Sequence, residues 1–376
     1  MKRFLLLSLL MVLSPFAHAE LPLPPVPSIA AKSYLILDFH SGQTLVSQNA
    51  GERIEPASLT KLMTAYLSFA AVKQGRIKAE QMLPVSERAW RSEGSRMFLD
   101  PKKPATVNEL LRGMIVQSGN DACVTLAEGI AGSEETFVQM MNQQAQRLGM
   151  NNTHFVNSTG LPDPQHYTTA SDLSLLAAAI IRDFPDFYPL YSIKEFRYNN
   201  ITQPNRNRLL WQDPYVDGMK TGHTESAGYC LITSAKRGPR RLISVVLGTA
   251  SDNARTMESQ KLLNYGFQFF DTVRVYQRGQ TVASLPVWKG NQKILKAGFT
   301  KDIYLSLPRG YYSRVKASIA TTQPLLAPLS IGRKVGTLTL TLDGKQLVEY
   351  PLVATENIEV AGIFGRTWDG IKLMLK

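Results

Sequence analysis

Cysteine and histidine are scarce in this sequence of 376 residues, which contains two cysteines and five histidines. Cys123 and Cys230 are too few to form a multi-disulfide framework or a four-thiolate zinc site. The sequence does not decide whether Cys123 and Cys230 form a single disulfide, because sequence separation does not reveal the distance between them. The scattered histidines show no metal-ligand spacing, so we expect no bound metal and no cofactor.

The N-terminal hydrophobic run, residues 4–13, is shorter than the roughly 20 residues that a membrane-spanning helix needs. Two basic residues precede it, and a small-x-small site follows at residues 17–19. This pattern predicts a secretory signal over residues 1–19, and a proline-rich linker follows at 20–32. We therefore expect an exported protein.

Acidic residues are the minority among charged side chains, since 42 Lys and Arg stand against 30 Asp and Glu, giving a net charge of +12. An excess of this size favours an anionic partner surface. Because export separates the chain from nucleic acid, we expect the cell envelope to supply that surface, and we expect no nucleic-acid partner.

The first part of the chain mixes hairpins with helices, which predicts an α+β fold. The predicted strands are 34–38, 44–46, 229–235 and 242–247, and the predicted helices are 58–72, about 107–148, 171–181 and 259–270. This order predicts an antiparallel sheet flanked by helices, with a helical subdomain inserted, over residues 33–281.

The residue pattern of the sequence changes near residue 282, where short β-type runs alternate with turns that contain Gly, Pro and Asp. This spacing predicts a small all-β domain over residues 282–356, without catalytic groups. At about 100° per residue, the final segment, residues 357–376, places Phe364 and Trp368 on an apolar face opposite Lys and Arg. Such a helix is typical of an anionic membrane interface, and docking onto the β domain is the alternative.

Three short motifs carry the chemistry: Ser58-Leu59-Thr60-Lys61, Ser118-Gly119-Asn120 and Lys220-Thr221-Gly222. Each is weak alone, because S-x-x-K is expected about once by chance in a chain of this length and S-x-N occurs three times. Their order carries the weight. S-x-x-K, then S-x-N, then K-T-G marks penicillin-binding proteins and serine β-lactamases.

The first motif also makes chemical sense by itself. A serine hydroxyl is a poor nucleophile without a neighbouring base, and residues three apart on a helix face each other. Lys61 can therefore reach Ser58, but an ordinary lysine is protonated near neutral pH. Burial, together with Lys220 as a second cation, would favour the neutral amine that can act as a base.

The sequence resembles low-molecular-mass penicillin-binding proteins of the D-alanyl-D-alanine carboxypeptidase family, the type with an added β domain and a C-terminal membrane anchor. The resemblance runs from about Tyr34 to the end of the chain. Beyond the three motifs it is carried by Pro56-Ala57 before Ser58, Asp121-Ala122-Cys123, Asn205-Arg206-Asn207 with Trp211, and Val216-Asp217-Gly218-Met219 with His223-Thr224.

The resemblance implies a serine D,D-carboxypeptidase that removes the terminal D-Ala from peptidoglycan stem pentapeptides and is acylated by β-lactams. It implies a periplasmic protein attached to the outer face of the bacterial inner membrane, with a β-lactamase/transpeptidase-like catalytic domain. The implied catalytic residues are Ser58, Lys61, Ser118, Asn120 and Lys220, and the implied substrate-binding residues are Thr221, Gly222, His223, Arg255 and Arg206.

The same resemblance gives each catalytic residue a role. Ser58 would be acylated, and Lys61 would take its proton. Ser118 and Lys220 would carry the proton to the leaving amine, while Asn120 would hold both Lys61 and the substrate amide.

The substrate-binding roles follow in the same way. Thr221 and Arg255 would bind the terminal carboxylate, and Arg206 would support the cleft. The backbone N–H groups of Ser58 and His223 would form the oxyanion hole, while the His223 side chain lines the cleft without proton chemistry.

Three alternatives remain at this point: a D,D-endopeptidase, a weak β-lactamase and a catalytically silent wall-binding module. Class A β-lactamases use a glutamate between the second and third motifs for deacylation. Residues 155–173 contain Asp163 and Asp172 but no glutamate. We therefore expect β-lactams to acylate Ser58 and to leave slowly.

Overall fold

A computed structural model describes residues 24–374 of the chain. The predicted signal at residues 1–19 and the beginning of the 20–32 linker lie outside the described residues. Within residues 24–374, no helix has both the length and the hydropathy needed to cross a bilayer.

The first domain is built on a five-stranded antiparallel sheet whose strands lie in the spatial order β2 (Thr44–Gln48), β1 (Ser33–Asp38), β9 (Arg240–Thr249), β8 (Gly228–Arg237) and β7 (Val216–Thr224). Its strands are β1 (Ser33–Asp38), β2 (Thr44–Gln48), β3 (Met82–Leu83), β4 (Ala105–Thr106), β5 (Glu195–Tyr198), β6 (Ile201–Pro204), β7 (Val216–Thr224), β8 (Gly228–Arg237) and β9 (Arg240–Thr249), of which β3 pairs with β4 and β5 with β6. Its helices are α1 (Lys61–Lys73), α2 (Glu87–Trp90), α3 (Val107–Arg112), α4 (Asn120–Ala131), α5 (Glu134–Arg147), α6 (Ala170–Asp183), α7 (Leu209–Gln212) and α8 (Asp252–Phe269).

Helices cover both faces of this sheet because the buried strand residues are apolar on both sides. Leu35, Ile243 and Val245 join the large core that also contains α1 and α6. Their neighbours Ile36 and Val246 point the other way and pack against Leu262 of α8. The predicted α+β architecture is confirmed.

The helical signal over residues 107–148 resolves into several pieces. After α3 come a single π-helical turn, Gly113–Gln117, and then Ser118, whose backbone adopts a left-handed conformation with φ of 67°. A non-glycine residue in that conformation breaks the helix. The break turns the second motif into a corner between helices, which local periodicity does not predict.

The second domain is an all-β unit with strands β10 (Phe270–Tyr276), β11 (Ala283–Trp288), β12 (Ile294–Gly298), β13 (Ile303–Pro308), β14 (Val315–Thr321), β15 (Leu325–Leu326), β16 (Lys334–Leu342) and β17 (Lys345–Ala354). Strand β10 pairs with β13 and therefore lies with this domain, before the boundary predicted at residue 282. Ser306 of β13 joins the two domains, since its Oγ lies 2.7 Å from Ser41 Oγ and its N–H donates to Gln43 Oε1 at 2.6 Å.

The described residues end in α9 (Ile363–Met374), whose one buried side chain, Asp369, faces the β domain. Asp369 is only 4% exposed, and its carboxylate accepts hydrogen bonds from Lys289 N at 2.6 Å and Lys293 Nζ at 2.8 Å. The apolar side points outward, with Phe364 93% and Trp368 61% exposed. The helix thus contacts the β domain through a charge and leaves its apolar face uncovered.

Candidate active site

The nucleophile candidate Ser58 lies in a 3₁₀ turn, Ala57–Thr60, which leads directly into α1. This arrangement places Lys61 Nζ 2.9 Å from Ser58 Oγ. Lys61 is 1% exposed, and its amine also donates to the carbonyl of Thr159 at 2.5 Å. Burial is the main cause that lowers the pKa of Lys61 to about 8; the charge of Arg206 acts in the same direction, while Cys123 and Asp121 oppose it. A substantial fraction of this amine is therefore neutral near physiological pH.

A second serine–lysine pair faces the first across the cleft. Lys220 on β7 places its Nζ 2.9 Å from Ser118 Oγ and 3.1 Å from the carbonyl of Thr221. Burial is the main cause that holds the pKa of Lys220 well below its ordinary value, and repulsion from Lys61 adds to it. The state in which Lys61 and Lys220 are both protonated is therefore disfavoured. The two amines can share one proton, and they can pass a proton during a reaction.

The amide of Asn120 is anchored on one side and free on the other. Its Nδ2 donates to the carbonyl of Glu93 at 2.5 Å, and its backbone N–H donates to Ser95 at 2.7 Å. Its Oδ1 is buried without a hydrogen-bond partner among the described residues. The implied contact between Asn120 and Lys61 is therefore not made, and Oδ1 is left to accept from a bound molecule.

Strand β7 forms the opposite wall and carries Thr221, Gly222 and His223 into the cleft. A Cβ on Gly222 would lie 3.2 Å from the carbonyl oxygen of Pro56, so glycine lets the strand approach the nucleophile turn. The exposed His223 ring lies 4.0 Å from the Tyr229 ring, centroid to centroid. The resulting cleft has a volume of about 800 Å³.

Comparison with known proteins identifies this arrangement. Residues 20–251 match the family model described as D-alanyl-D-alanine carboxypeptidase. Residues 270–360 match the C-terminal domain of penicillin-binding protein 5. The chain belongs to the D-alanyl-D-alanine carboxypeptidase family.

Similar relatives cover almost the whole chain. The D-alanyl-D-alanine carboxypeptidase DacC of Escherichia coli is 43% identical, over 97% of this chain and 93% of its own length. The crystal structure of penicillin-binding protein 5 from Haemophilus influenzae has a TM-score of 0.85 and 42% identity, covering 89% of this chain and 98% of that one. The ampicillin-bound penicillin-binding protein D2 of Listeria monocytogenes has a TM-score of 0.60 and 32% identity, over 65% of this chain and 100% of that one.

The two candidate arginines of this carboxypeptidase-family site differ in what they contact. Arg255 is 5% exposed; its guanidinium pairs with Asp252 and donates to the carbonyl of Gly222 at 3.1 Å. Arg206 lines the cleft without a hydrogen bond or ion pair among the described residues, and burial and the charge of Arg255 lower its pKa. Both arginines line the cleft; Arg206 has its whole guanidinium unpaired, whereas Arg255 contacts the strand beside it and leaves only its Nε without a partner among the described residues.

Sequence reasoning missed the loop behind Lys61, which supplies a backbone carbonyl rather than a side chain. Asn157 Oδ1 accepts hydrogen bonds from the N–H groups of Thr159, Gly160 and Leu161, at 2.7–3.2 Å. A Cβ on Gly160, where φ is 86°, would lie 1.8 Å from the carbonyl oxygen of Ala57. Asn157 and Gly160 are residue types that favour turns, but they do not reveal which amine the loop contacts.

The same loop contains a buried histidine that touches the first motif. His166 is 2% exposed, and its Nε2 lies 2.9 Å from the hydroxyl of Thr60. In the sequence, Thr60 stands between Ser58 and Lys61. Its Nδ1 has no hydrogen-bond partner in the described part of the chain. Burial lowers the pKa of His166 to about 4, so the ring is neutral at physiological pH.

Both cysteines are free thiols in this structure, which closes the disulfide question left open by the sequence. Both are completely buried, and burial raises their pKa values, to about 12 for Cys123 and about 11 for Cys230. Neither thiol is a nucleophile at neutral pH. Residues 24–374 contain no group of three or more His, Cys, Asp or Glu side chains placed to hold a metal ion.

Proposed function

We propose that the protein releases the terminal D-Ala of peptidoglycan stem pentapeptides through an acyl-enzyme on Ser58. The observation that carries this proposal is the pairing of Ser58 with a buried amine 2.9 Å away whose pKa is lowered to about 8. Neutral Lys61 accepts the hydroxyl proton as Ser58 attacks the penultimate D-Ala carbonyl. The backbone N–H groups of Ser58 and His223 stabilise the oxyanion that forms.

Collapse of the tetrahedral intermediate requires a proton on the leaving D-Ala amine. Ser118 lies 2.9 Å from Lys220, so its hydroxyl can donate while Lys220 replaces the proton. The proton that Lys61 took from Ser58 then passes to Lys220, which makes Lys61 neutral again and restores the protonated Lys220. Water attacks the ester, Lys61 takes up the water's proton and returns it to Ser58 Oγ as the ester bond breaks, and the shortened peptide leaves. The buried Oδ1 of Asn120 accepts from the substrate amide.

The terminal carboxylate is bound by Arg206 together with the Thr221 hydroxyl. Arg206 is favoured over Arg255 because its guanidinium is not engaged by another side chain within the described structure. A charged fork and a hydroxyl are suited to a carboxylate. Binding of a free C-terminal carboxylate distinguishes a carboxypeptidase from an endopeptidase. The carboxypeptidase substrate ends at D-Ala, whereas the endopeptidase substrate continues beyond the cleaved bond.

β-Lactams acylate Ser58 and are released slowly. The carbonyl of Thr159, not a carboxylate, lies against Lys61, and Asp163 is exposed on the loop surface. The carboxylate of Asp172 already accepts hydrogen bonds from Asn152 N at 2.8 Å and from the Thr153 hydroxyl at 2.7 Å. Deacylation therefore lacks the additional carboxylate base that class A β-lactamases use.

The protein works in the periplasm, attached peripherally to the outer face of the inner membrane. The signal pattern at residues 1–19 supports export, and the outward apolar face of α9 supports attachment. Basic residues of this positively charged chain add attraction to anionic lipid, about 1 kcal/mol for each well-placed side chain.

The decisive experiment combines product analysis with adduct mapping. The purified protein should release D-Ala from a stem pentapeptide, and intact-mass spectrometry after penicillin treatment should show one adduct, mapped to Ser58. Acylation should accelerate as pH rises through about 8, because Lys61 becomes neutral there. Ser58→Ala should abolish both activities. Penicillin labelling that persists in Ser58→Ala, or a rate that does not change between pH 6 and 9, would refute the mechanism.

A further inference from the structure

A second cavity, of about 620 Å³, lies outside the catalytic cleft and presents two aromatic side chains to solvent. Trp90 at the end of α2 is 41% exposed, and Phe98 is 40% exposed. The polar lining of the cavity consists of Arg96, Lys102, Asn199, Glu87, Asp100 and Asp121. We call it the Trp90–Phe98 cavity. Its size suits a small ligand, and its lining combines ring faces with hydrogen-bond donors.

Phe98 is exposed in a backbone conformation that its residue type disfavours. Its φ is 66°, a left-handed conformation that bulky side chains rarely adopt. The buried carboxylate of Asp121 holds this turn, accepting from Met97 N at 3.0 Å and from Leu99 N at 3.1 Å. A buried charge and a strained backbone together turn an aromatic ring outward, a combination found at ligand-binding positions.

The Trp90–Phe98 cavity shares a wall with the catalytic cleft. Ser95 lines the cleft, and Arg96, the next residue, lines the cavity. The wall is fixed at both positions, since Ser95 accepts from Asn120 N at 2.7 Å and the Arg96 carbonyl accepts from Gln203 Nε2 at 3.3 Å. A substrate that passes Asn120 can therefore continue over this wall.

We propose that the Trp90–Phe98 cavity binds the amino sugars of the glycan strand that carries the stem peptide. This inference rests on the carboxypeptidase function proposed above. The reacting carbonyl belongs to the fourth residue of the stem, and four extended residues span about 14 Å. The sugar therefore lies beyond the cleft, where a neighbouring cavity can receive it.

The lining fits an amino sugar better than a charged ligand. The C–H face of a pyranose packs on aromatic rings, and the exposed Trp90 and Phe98 offer such rings in this cavity. Its hydroxyl and acetamido groups take hydrogen bonds from Arg96 and Asn199. Arg96 and Lys102 are offset by Glu87, Asp100 and Asp121, so the cavity has no strong preference for an anion.

Two substrates with the same peptide test the inference: a free stem pentapeptide, and the pentapeptide attached to its amino-sugar disaccharide. The wild-type protein should have the lower KM for the disaccharide form. Trp90→Ala and Phe98→Ala should each raise that KM about 3- to 10-fold, the loss expected for one stacking contact. Their KM for the free peptide and their kcat should follow the wild type, and Trp90→Phe should restore most of the difference.

Tyr312→Ala is the matched control, because this aromatic residue is similarly exposed, at 43%, on the β domain. Equal KM values for the two substrates in the wild type would overturn the inference. So would equal losses on both substrates in the cavity variants, since these indicate a structural effect on the cleft. If the wild type hydrolysed neither substrate and took up no penicillin, the proposed function itself would fail.

Discussion

At the residue scale, the chemistry depends on which charged groups have partners. Lys61 and Lys220 are buried beside serine hydroxyls, and burial disfavours their protonated forms. Arg255 is held by Asp252 and by backbone carbonyls through its two terminal nitrogens and leaves only Nε unpartnered, while Arg206 lines the cleft without a hydrogen bond or ion pair in the described structure. Residues of the same type therefore have different functions only because their surroundings differ.

Arg206→Gln should lower kcat/KM for a D-Ala-D-Ala peptide about 10- to 100-fold, since it removes a charged hydrogen bond to the carboxylate. Steady-state kinetics should show the loss mainly in KM. The same peptide with an amidated C-terminus should be almost insensitive to the change. Arg206→Lys should recover part of the loss, and Arg274→Gln on the β domain serves as the control. An equal loss on the acid and the amide would argue against carboxylate binding.

At the element scale, the loop over residues 157–169 supplies contacts to the first motif that the nucleophile helix cannot supply alone. Asn157 fixes the turn, and the carbonyl of Thr159 then orients the Lys61 amine. His166 ties the far end of the loop to Thr60. Local sequence predicts a turn here, but the contact with Lys61 depends on about a hundred intervening residues.

His166 makes the stability of the catalytic domain depend on pH. Its pKa, about 4 in the folded protein, lies below that of an unfolded histidine, about 6.5, so unfolding takes up a proton in between. Burial is the main cause; Asp163 favours the charged form, and Lys61 and His154 oppose it. Stability is complete above about pH 6.5 and is lost as the pH falls towards 4.

Denaturant unfolding of the wild type and of His166→Gln should reveal this effect. Between pH 7 and pH 4.5 the wild type should lose about 2–3 kcal/mol more free energy of unfolding than the variant, which has no titrating ring. Glutamine keeps a group that can reach Thr60. His40→Gln, at an exposed histidine, is the control and should follow the wild type. Parallel pH profiles for the wild type and His166→Gln would contradict the assignment.

At the scale of the whole molecule, α9 is oriented by its one buried charge. Asp369 contacts Lys289 and Lys293, and these contacts fix the rotation of α9 about its own axis. In this orientation Phe364 and Trp368 point away from the β domain. The sequence predicts two faces correctly. It does not decide which face meets the β domain, and a docked helix would normally bury its apolar side.

Phe364→Gln should weaken binding to vesicles that contain anionic phospholipid about tenfold or more, because one large apolar side chain no longer enters the interface. Sedimentation with vesicles measures this directly. Ile319→Gln, at an exposed residue of β14, should bind like the wild type. Unchanged binding by the Phe364 variant would exclude α9 as the membrane contact.

The sequence by itself determined the order of the three motifs, the Ser58–Lys61 spacing and the main helices and hairpins of the catalytic domain, among them α1, α6, α8 and the strands β1, β2, β8 and β9, because these depend on local periodicity and on family-wide residue patterns. Tertiary structure alone decided that Ser118 turns a corner, that Thr159 supports Lys61 and that Arg206 remains available. The physical reason is that burial and hydrogen-bond partners are set by segments distant in sequence. A lysine is a base, and an arginine is a ligand-binding group, only once the rest of the chain has placed its neighbours.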